Sequence, residues 1–290
     1  MTIGELLKCG AETLHGAGIE NYSGEVRDII MHLTGYNASE LFMHNSDEAD
    51  PAVSQKFSDM IRKRCTHYPL QYILGETCFM GYTFKCRENV LIPRYDTENL
   101  VAAAAESISS NESLQVLDMC TGTGCIGISF YLERQKKGVR DRVTLADISD
   151  DAIAAATENR KLFGESSIDD IEIVKTDLFS ELGGRKYDVL LSNPPYIPTE
   201  ECDKLETDVR DYEPRLALDG DIDGLSFYRR IISEMGEYLK SGAHIYMEIG
   251  YDQYEGVRKL MEDAGYVDIS LIKDLSGLDR VVSCRKRINE

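Results

Sequence analysis

The chain has 290 residues, 42% of them hydrophobic, and a net charge of −19 from 51 acidic against 32 basic residues. That acidity argues against a partner held mainly through phosphates, so direct nucleic-acid binding is not expected. No apolar run approaches the ~18 residues of a membrane span, and Met1 to Glu5 lacks the charged-then-apolar start of a secretion signal, so a cytoplasmic protein without membrane contact is expected. The 8 cysteines form no C-x-x-C pair and the 5 histidines are scattered, which points to reduced core thiols and no metal.

From Thr2 to about Leu74 apolar residues recur at helical spacing: Leu6, Leu7, Cys9 and Leu14, then Val26, Ile29, Ile30 and Leu33, then Val53, Phe57, Met60 and Ile61. Pro51 stands where a helix would start. This predicts a bundle of four or five helices over residues 1–74, with a substrate-recognition role or a purely stabilising one. Between Gly75 and Pro93 the period changes to that of strands: Thr77 to Met80, a turn at Gly81-Tyr82, Thr83 to Cys86, and Val90 to Pro93. A β-hairpin linker is expected over 75–93, ahead of a second domain over 94–290. Arg94 to Glu98 reads as a solvated junction or a cap over a site, with Thr97 as N-cap of an Ala-rich helix to about Ser109.

Four strands then end in residues able to hold a nucleoside-bearing ligand and a second substrate. Leu114 to Met119 runs into Cys120-Thr121-Gly122-Thr123-Gly124 and a helix from Cys125 to about Lys136, the strand, glycine turn and helix that let a ligand approach the backbone. Arg142 to Ala146 ends in Asp147, where ribose hydroxyls are held, and Ser149 caps the helix to Phe163. Ile171 to Lys175 leads to Asp177 and Leu178, placed to accept an adenine amino group and pack its ring.

The fourth strand, Asp188 to Ser192, delivers Asn193-Pro194-Pro195-Tyr196. Asn193 and Pro194 each precede a proline and are stiffly extended, and neither proline has an N–H. A rigid set of neutral acceptors beside an aromatic ring suits a planar group carrying NH2. Its hydrogens would be held by Asn193 Oδ1 and the Pro194 carbonyl, its plane packed on Tyr196, and its lone pair aimed at an electrophile. Downstream, Glu200 to Asp223 is acidic and loop-like. Leu225 to Leu239 reads as a helix, Ala243 to Ile249 as a strand with a packed His244, and Gln253 to Ala264 as a helix. A terminal antiparallel pair is expected near Val267 to Ile272 and Val281 to Cys284.

Several segments resemble the protein-(glutamine-N5) methyltransferases acting on peptide-chain release factors, the HemK/PrmC family. They are Pro69 to Gly75, Leu91 to Arg94, Thr97-Glu98, the glycine loop, Asn193 to Ile197, Val209 to Pro214 and Lys273 to Val282. The resemblance implies an α/β fold: a class I S-adenosylmethionine-dependent methyltransferase with a Rossmann-like seven-stranded sheet, a small N-terminal helical bundle and a β-hairpin linker. By similarity the cofactor contacts fall on Thr121, Gly122, Thr123, Gly124, Asp147, Leu178 and Asn193, and Cys120 and Asp177 complete the expected cofactor site. Catalysis falls on Asn193, Pro194 and Tyr196, and the glutamine is held by Asn193, Pro194, Pro195 and Tyr196.

The implied reaction is methyl transfer from S-adenosylmethionine to the amide nitrogen of the release-factor Gly-Gly-Gln glutamine, by a monomer whose partners are class 1 release factors. Cys120 stands where the family usually has Gly, which calls for an ordinary backbone there or crowds the methionine moiety. Tyr95-Asp96 replaces Pro-Glu, and Leu178 takes the place of an often larger side chain. The rival readings are a ribosomal-protein glutamine methyltransferase, an adenine-N6 methyltransferase of a flipped base, and a non-catalytic scaffold.

Overall fold

The computed structural model describes residues 1–108 and 110–288, and for 166–168 the backbone alone. The chain forms two compact units, Met1–Glu76 with Glu206–Tyr212, and Thr77–Leu205 with Glu213–Glu290.

The first unit holds α1 (Ile3–Gly16), α2 (Tyr22–Thr34), α3 (Ala38–Met43), α4 (Pro51–Arg64) and α5 (Leu70–Leu74). Thr2 and Asn37 close capping boxes with Glu5 and Glu40, and Asp50 caps α4 ahead of Pro51 in its first turn. The predicted apolar stripe converges in the core, with Leu6, Leu14, Val26, Ile29, Ile30, Phe57 and Ile61 buried. Gly10 lets α1 meet α4, since a Cβ there would lie 2.5 Å from Phe57 Cζ. Arg64 is buried and grips Glu25 through Nε and Nη2 at 2.6 and 3.0 Å. A helix far along the chain, Thr207–Tyr212, belongs to this unit: Asp208 lies 3.6 Å from Arg64, and the Tyr212 hydroxyl donates to the Thr66 carbonyl. The expectation of a loop over Glu200 to Asp223 is thereby corrected, because long-range partners stabilise turns too short and acidic to stand alone.

The second unit opens with a hairpin, β1 (Glu76–Phe79, from the last residue of the first unit) and β2 (Tyr82–Lys85), turning at Met80-Gly81 rather than Gly81-Tyr82. Both turn residues have positive φ, +53° and +77°, the conformation whose twist matches the strands. Phe79 and Phe84 are buried in the core of this unit. Val90 to Pro93 forms no strand. A 3-10 turn over Tyr95–Thr97 leads into α6 (Glu98–Ser107); Thr97 makes no capping bond, and the predicted helix end at Ser109 lies outside the described residues.

There follow β3 (Gln115–Met119), α7 (Cys125–Lys136), β4 (Arg142–Asp147), α8 (Asp150–Leu162), α9 (Glu165–Asp170), β5 (Ile171–Lys175), β6 (Tyr187–Ser192), α10 (Thr199–Cys202), α11 (the Thr207–Tyr212 helix of the first unit), α12 (Ser226–Glu234), β7 (Leu239–Glu248), α13 (Tyr254–Asp263), β8 (Val267–Lys273) and β9 (Asp279–Arg285). The sheet has 7 strands in the order β5-β4-β3-β6-β7-β9-β8, with β9 antiparallel to both neighbours. It is the Rossmann-like α/β sheet that the family resemblance implies.

Both sheet faces are covered, which is why the parallel strands read as unbroken apolar runs. Val116, Val189 and Leu191 pack with α6 and α7, while Leu117, Leu190 and Ile245 pack with α12 and α13. The chain leaves β3 toward β4 on one side and returns as β6 on the other, so a crevice opens between the carboxyl ends of β3 and β6. Met119 pairs with Ser192 across it, and the Ser192 hydroxyl donates to the Met119 carbonyl at 2.7 Å.

Candidate active site

The crevice is a cavity of about 440 Å³, within the size range of small-molecule sites. Its wall includes Cys120, Thr121, Gly122, Thr123, Asp147, Asp177, Leu178, Asn193 and Pro195. Three residues read from the sequence as site residues, Gly124, Pro194 and Tyr196, do not line it. Gly124 starts α7 at φ +84°, and a Cβ there would sit 2.9 Å from Ile128 Cδ1, so its bareness serves helix packing. Pro194 is buried.

The glycine loop is clasped from below. Asp118 Oδ2 accepts from the Thr121 hydroxyl and the Gly127 N–H at 2.5 and 2.9 Å, while Oδ1 is buried without a hydrogen-bond partner among the described residues. Burial pushes the Asp118 carboxyl up to about 7. Cys120 has φ +60°, so the side chain that replaces the family's glycine adopts the left-handed backbone rather than an ordinary one. Burial raises its thiol, which therefore stays protonated. A Cβ on Gly122, also left-handed, would meet only Val90 Cγ1, at 4.0 Å, so the bare glycine leaves the cavity open beside its backbone.

Asp147 ends β4 with one oxygen accepting from the Gly122 N–H and the other from the Ser149 N–H, each at 2.9 Å. Burial raises its pKa, opposed by these amides. Each carboxylate oxygen keeps a lone pair for a hydroxyl donor. Leu178 is buried at φ +47°. The carboxylate of Asp177 is engaged by Arg230 of α12 at 2.8 Å, so the free acceptor expected there is an ion-paired one.

At the opposite end Asn193 donates from Nδ2 to the Thr97 hydroxyl oxygen at 3.3 Å, which leaves Oδ1 as an acceptor without a hydrogen-bond partner among the described residues. Tyr196 donates its hydroxyl to Glu248 Oε1 at 3.1 Å, and its carbonyl accepts from Gln253 Nε2 at 2.7 Å. Burial first and the Glu248 charge second raise the Tyr196 pKa. The ring packs on the core beside α12, so Tyr196 braces the loop instead of facing the cavity. The nearby lip, Asn89 to Arg94, lines the cavity and is pinned by the buried Glu213, which accepts from the Ile92 N–H at 3.1 Å and pairs with Arg94.

In the sequence analysis Thr97 figures only in the Arg94–Glu98 junction and as a helix cap, and Glu213, Arg230, Glu248 and Gln253 have no role. Thr97 and Glu213 lie inside the motifs quoted there, and that was the available signal. Asn159 gave none: fully buried in α8, it bonds the Lys85 N–H, the Lys85 carbonyl and the Thr123 carbonyl, fastening the hairpin to the glycine loop. Glu98 likewise accepts from the Met80 N–H at 2.8 Å and holds the hairpin turn.

Residues 5–75 match the PrmC N-terminal domain and residues 98–210 the methyltransferase small domain. A release factor glutamine methyltransferase of Fusobacterium nucleatum is 36% identical over 98% of this chain and 79% of its own length. The chain belongs to the release factor glutamine methyltransferase family. A Clostridium acetobutylicum member is 43% identical over 79% of each chain. The hMettl16 catalytic domain, solved with a MAT2A 3′UTR hairpin, shares the fold alone, at TM-score 0.56 and 13% identity over 83% of each chain.

Members of this family are methyltransferases, and the cofactor is S-adenosylmethionine. The cavity fits it: a bare Gly122 backbone, the Asp147 carboxylate with spare lone pairs, and apolar walls from Ile148, Ala152, Leu178 and Phe227 suit a methionine chain, a ribose diol and a flat base. The 8 cysteines are free; Cys86, Cys125, Cys202 and Cys284 are buried, whereas Cys9 and Cys78 are exposed and so are not the core thiols expected. Among the described residues no helix is long and apolar enough to cross a membrane.

Proposed function

We propose that the site methylates the side-chain amide nitrogen of the glutamine in the Gly-Gly-Gln motif of class 1 peptide-chain release factors. The observation that carries this reading is Asn193. Its NH2 end is spent on Thr97, so the end left for a substrate is an acceptor, which matches an incoming NH2 and opposes a carbonyl. Bound S-adenosylmethionine supplies a methyl group on a sulfonium, with a neutral leaving group.

The chain's own residues position the acceptor. Asn193 Oδ1 takes one amide hydrogen, Pro195 closes the wall beside it, and the second hydrogen goes to a neighbouring carbonyl, with that of Pro194 the candidate read from the sequence. An amide nitrogen is a weak nucleophile because its lone pair is delocalised, so holding it by its hydrogens in line with an electrophile is the main service the site performs. The amide proton becomes acidic as the new bond forms and leaves to solvent through the open mouth. Asp147, the Gly122 backbone and the apolar Leu178 are the residues that would hold the cofactor.

The enzyme acts as a monomer in the cytoplasm, without nucleic acid as substrate; the acidic composition supports the last of these. The helical unit serves to recognise the release factor.

The test is transfer of labelled methyl to purified release factor beside a variant whose Gly-Gly-Gln glutamine is replaced, with mass spectrometry of the peptide. Label on that glutamine, lost in the variant, is the expected result. Label on ribosomal protein or an oligonucleotide instead would overturn the substrate and keep the chemistry.

A further inference from the structure

The cavity wall carries an ion pair that folding alone does not explain. Asp177 and Leu178 follow β5 as consecutive residues and both line the cavity, at a turn where Leu178 takes a left-handed backbone of φ +47°. From α12, Phe227 and Arg230 reach the same cavity, three residues apart and so on one face of the helix. Arg229 between them is spent on Asp223, at 3.0 Å. Arg230 Nη2 donates to Asp177 Oδ1 at 2.8 Å, and the two side chains are 44% and 52% exposed. An ion pair so open to solvent contributes little to stability, and its place on the wall of a ligand cavity points to recognition.

The contact leaves both partners with capacity to spare. Asp177 Oδ2 has no hydrogen-bond partner among the described residues, and a carboxylate only accepts. Arg230 Nε and Nη1 likewise make no hydrogen bond among the described residues, and a guanidinium only donates. An acceptor and a donor therefore stand side by side near the apolar Leu178 and Phe227, the surfaces suited to a flat base. The Watson–Crick edge of adenine carries the complement, an exocyclic NH2 that donates next to a ring nitrogen that accepts. Hypoxanthine carries the reverse, an oxygen that accepts next to a ring N–H that donates. Against this wall its oxygen would meet the carboxylate and its N–H the guanidinium, like facing like. The two protein groups cannot exchange places while Nη2 holds Oδ1.

We propose that Arg230 is a specificity-determining residue for the base of the cofactor: by gripping Asp177 it fixes an acceptor beside a donor, an order that admits adenine and rejects hypoxanthine. This rests on S-adenosylmethionine lying in the cavity with its base against Leu178, and not on which protein is methylated.

The test is calorimetry of S-adenosylhomocysteine against its deaminated counterpart, S-inosylhomocysteine, on full-length wild type, R230M, R230K and D177N, with the melting temperature of each unliganded protein. Wild type should prefer the adenosyl ligand by about 50-fold, the discrimination expected of a two-point contact to a base edge. Methionine keeps much of the arginine stem and has no donor, so R230M should fall to about 5-fold, mainly through weaker binding of the adenosyl ligand. R230K keeps the charge without the fork that grips Oδ1 and donates beside it, and should fall to about 15-fold. The amide of D177N turns either its oxygen or its NH2 to the base, which should bring the preference within about 3-fold. Melting temperatures should stay within about 2 °C of wild type, because the pair is half exposed.

A wild-type preference below about 3-fold overturns the proposal. So does R230M at the wild-type ratio, which would leave the discrimination to Asp177 alone, and so does an equal loss of both ligands in R230M, the mark of a merely supporting side chain. Methyl transfer to release factor reads the other level. If transfer fails while the affinity ratios follow expectation, only the substrate assignment falls; if transfer proceeds while the ratios do not move, only the role of Arg230 falls.

Discussion

The two ends of the cavity are built differently. At the cofactor end most of the holding bonds are local or join neighbouring strand ends: Asp147 to Ser149 spans 2 residues, Asp118 to Thr121 spans 3, and Asp147 to Gly122 spans 25, with the Asp177–Arg230 pair and the Asn159 bonds as the long-range exceptions. At the acceptor end they join distant segments, 96 residues for Asn193 with Thr97, 52 for Tyr196 with Glu248 and 119 for Arg94 with Glu213. The cofactor end is thus mostly backbone shaped by strand, turn and helix, and the acceptor end is side chains held by other side chains. Substitutions should accordingly damage binding at one end and turnover at the other.

The largest effect is expected from Asn193→Ala. Turnover should fall by about 10³-fold, since it removes the acceptor that positions the nitrogen, while S-adenosylhomocysteine affinity by calorimetry stays within a few-fold. Equal losses in both measurements would erase the contrast between the ends. Asp147→Ala should do the reverse. Cofactor affinity should weaken by about 100-fold, as expected for two charge-assisted hydrogen bonds, with turnover at saturating cofactor far less affected.

A pH series on stability probes the clasp under the glycine loop. The Asp118 carboxyl is raised by burial from 3.8 to about 7, so the folded protein holds that proton more tightly than the unfolded chain. The stability this contributes is complete below about pH 4 and is lost as pH rises through about 7, with a slope limited to about 1.4 kcal/mol per pH unit. Asp118→Asn cannot ionise. Urea midpoints should show the wild type losing ground to this variant between pH 5 and pH 8; an unchanged offset would mean that Asp118 is ionised throughout. The smallest effect is expected from Cys120→Gly, which relieves a left-handed non-glycine backbone at some cost in unfolded-state entropy, a net gain of about 0.5–1 kcal/mol read as a slightly higher melting temperature. A loss of stability would show that the half-buried Cys120 side chain contributes more by packing than its backbone costs.

The comparison also explains how much could be read in advance. Strand ends carrying Cys120 to Gly124, Asp147 and Leu178 were legible because a parallel sheet with both faces covered writes its strands as apolar runs, and the residues after each run fall at one edge. Roles inside that edge were harder. Gly124 looks like its neighbour Gly122 in sequence, yet one serves helix packing and the other the cavity. Beside two prolines the Tyr196 ring suggests a face for the substrate plane, and the distant Glu248 carboxylate, not the local pattern, takes its hydroxyl.

By itself, the sequence determined the helical bundle, the order of strands and helices, the glycine loop and the Asn-Pro-Pro-Tyr segment, because periodicity, caps and proline stiffness act within a few residues. The tertiary structure alone decided that Asn193 meets Thr97, that Asp177 is paired with Arg230, and that Thr207–Tyr212 joins the helical unit through Arg64 and Thr66. Those outcomes depend on partners tens to more than a hundred residues away, and a local pattern carries no record of which distant side chain will meet it once the chain has folded.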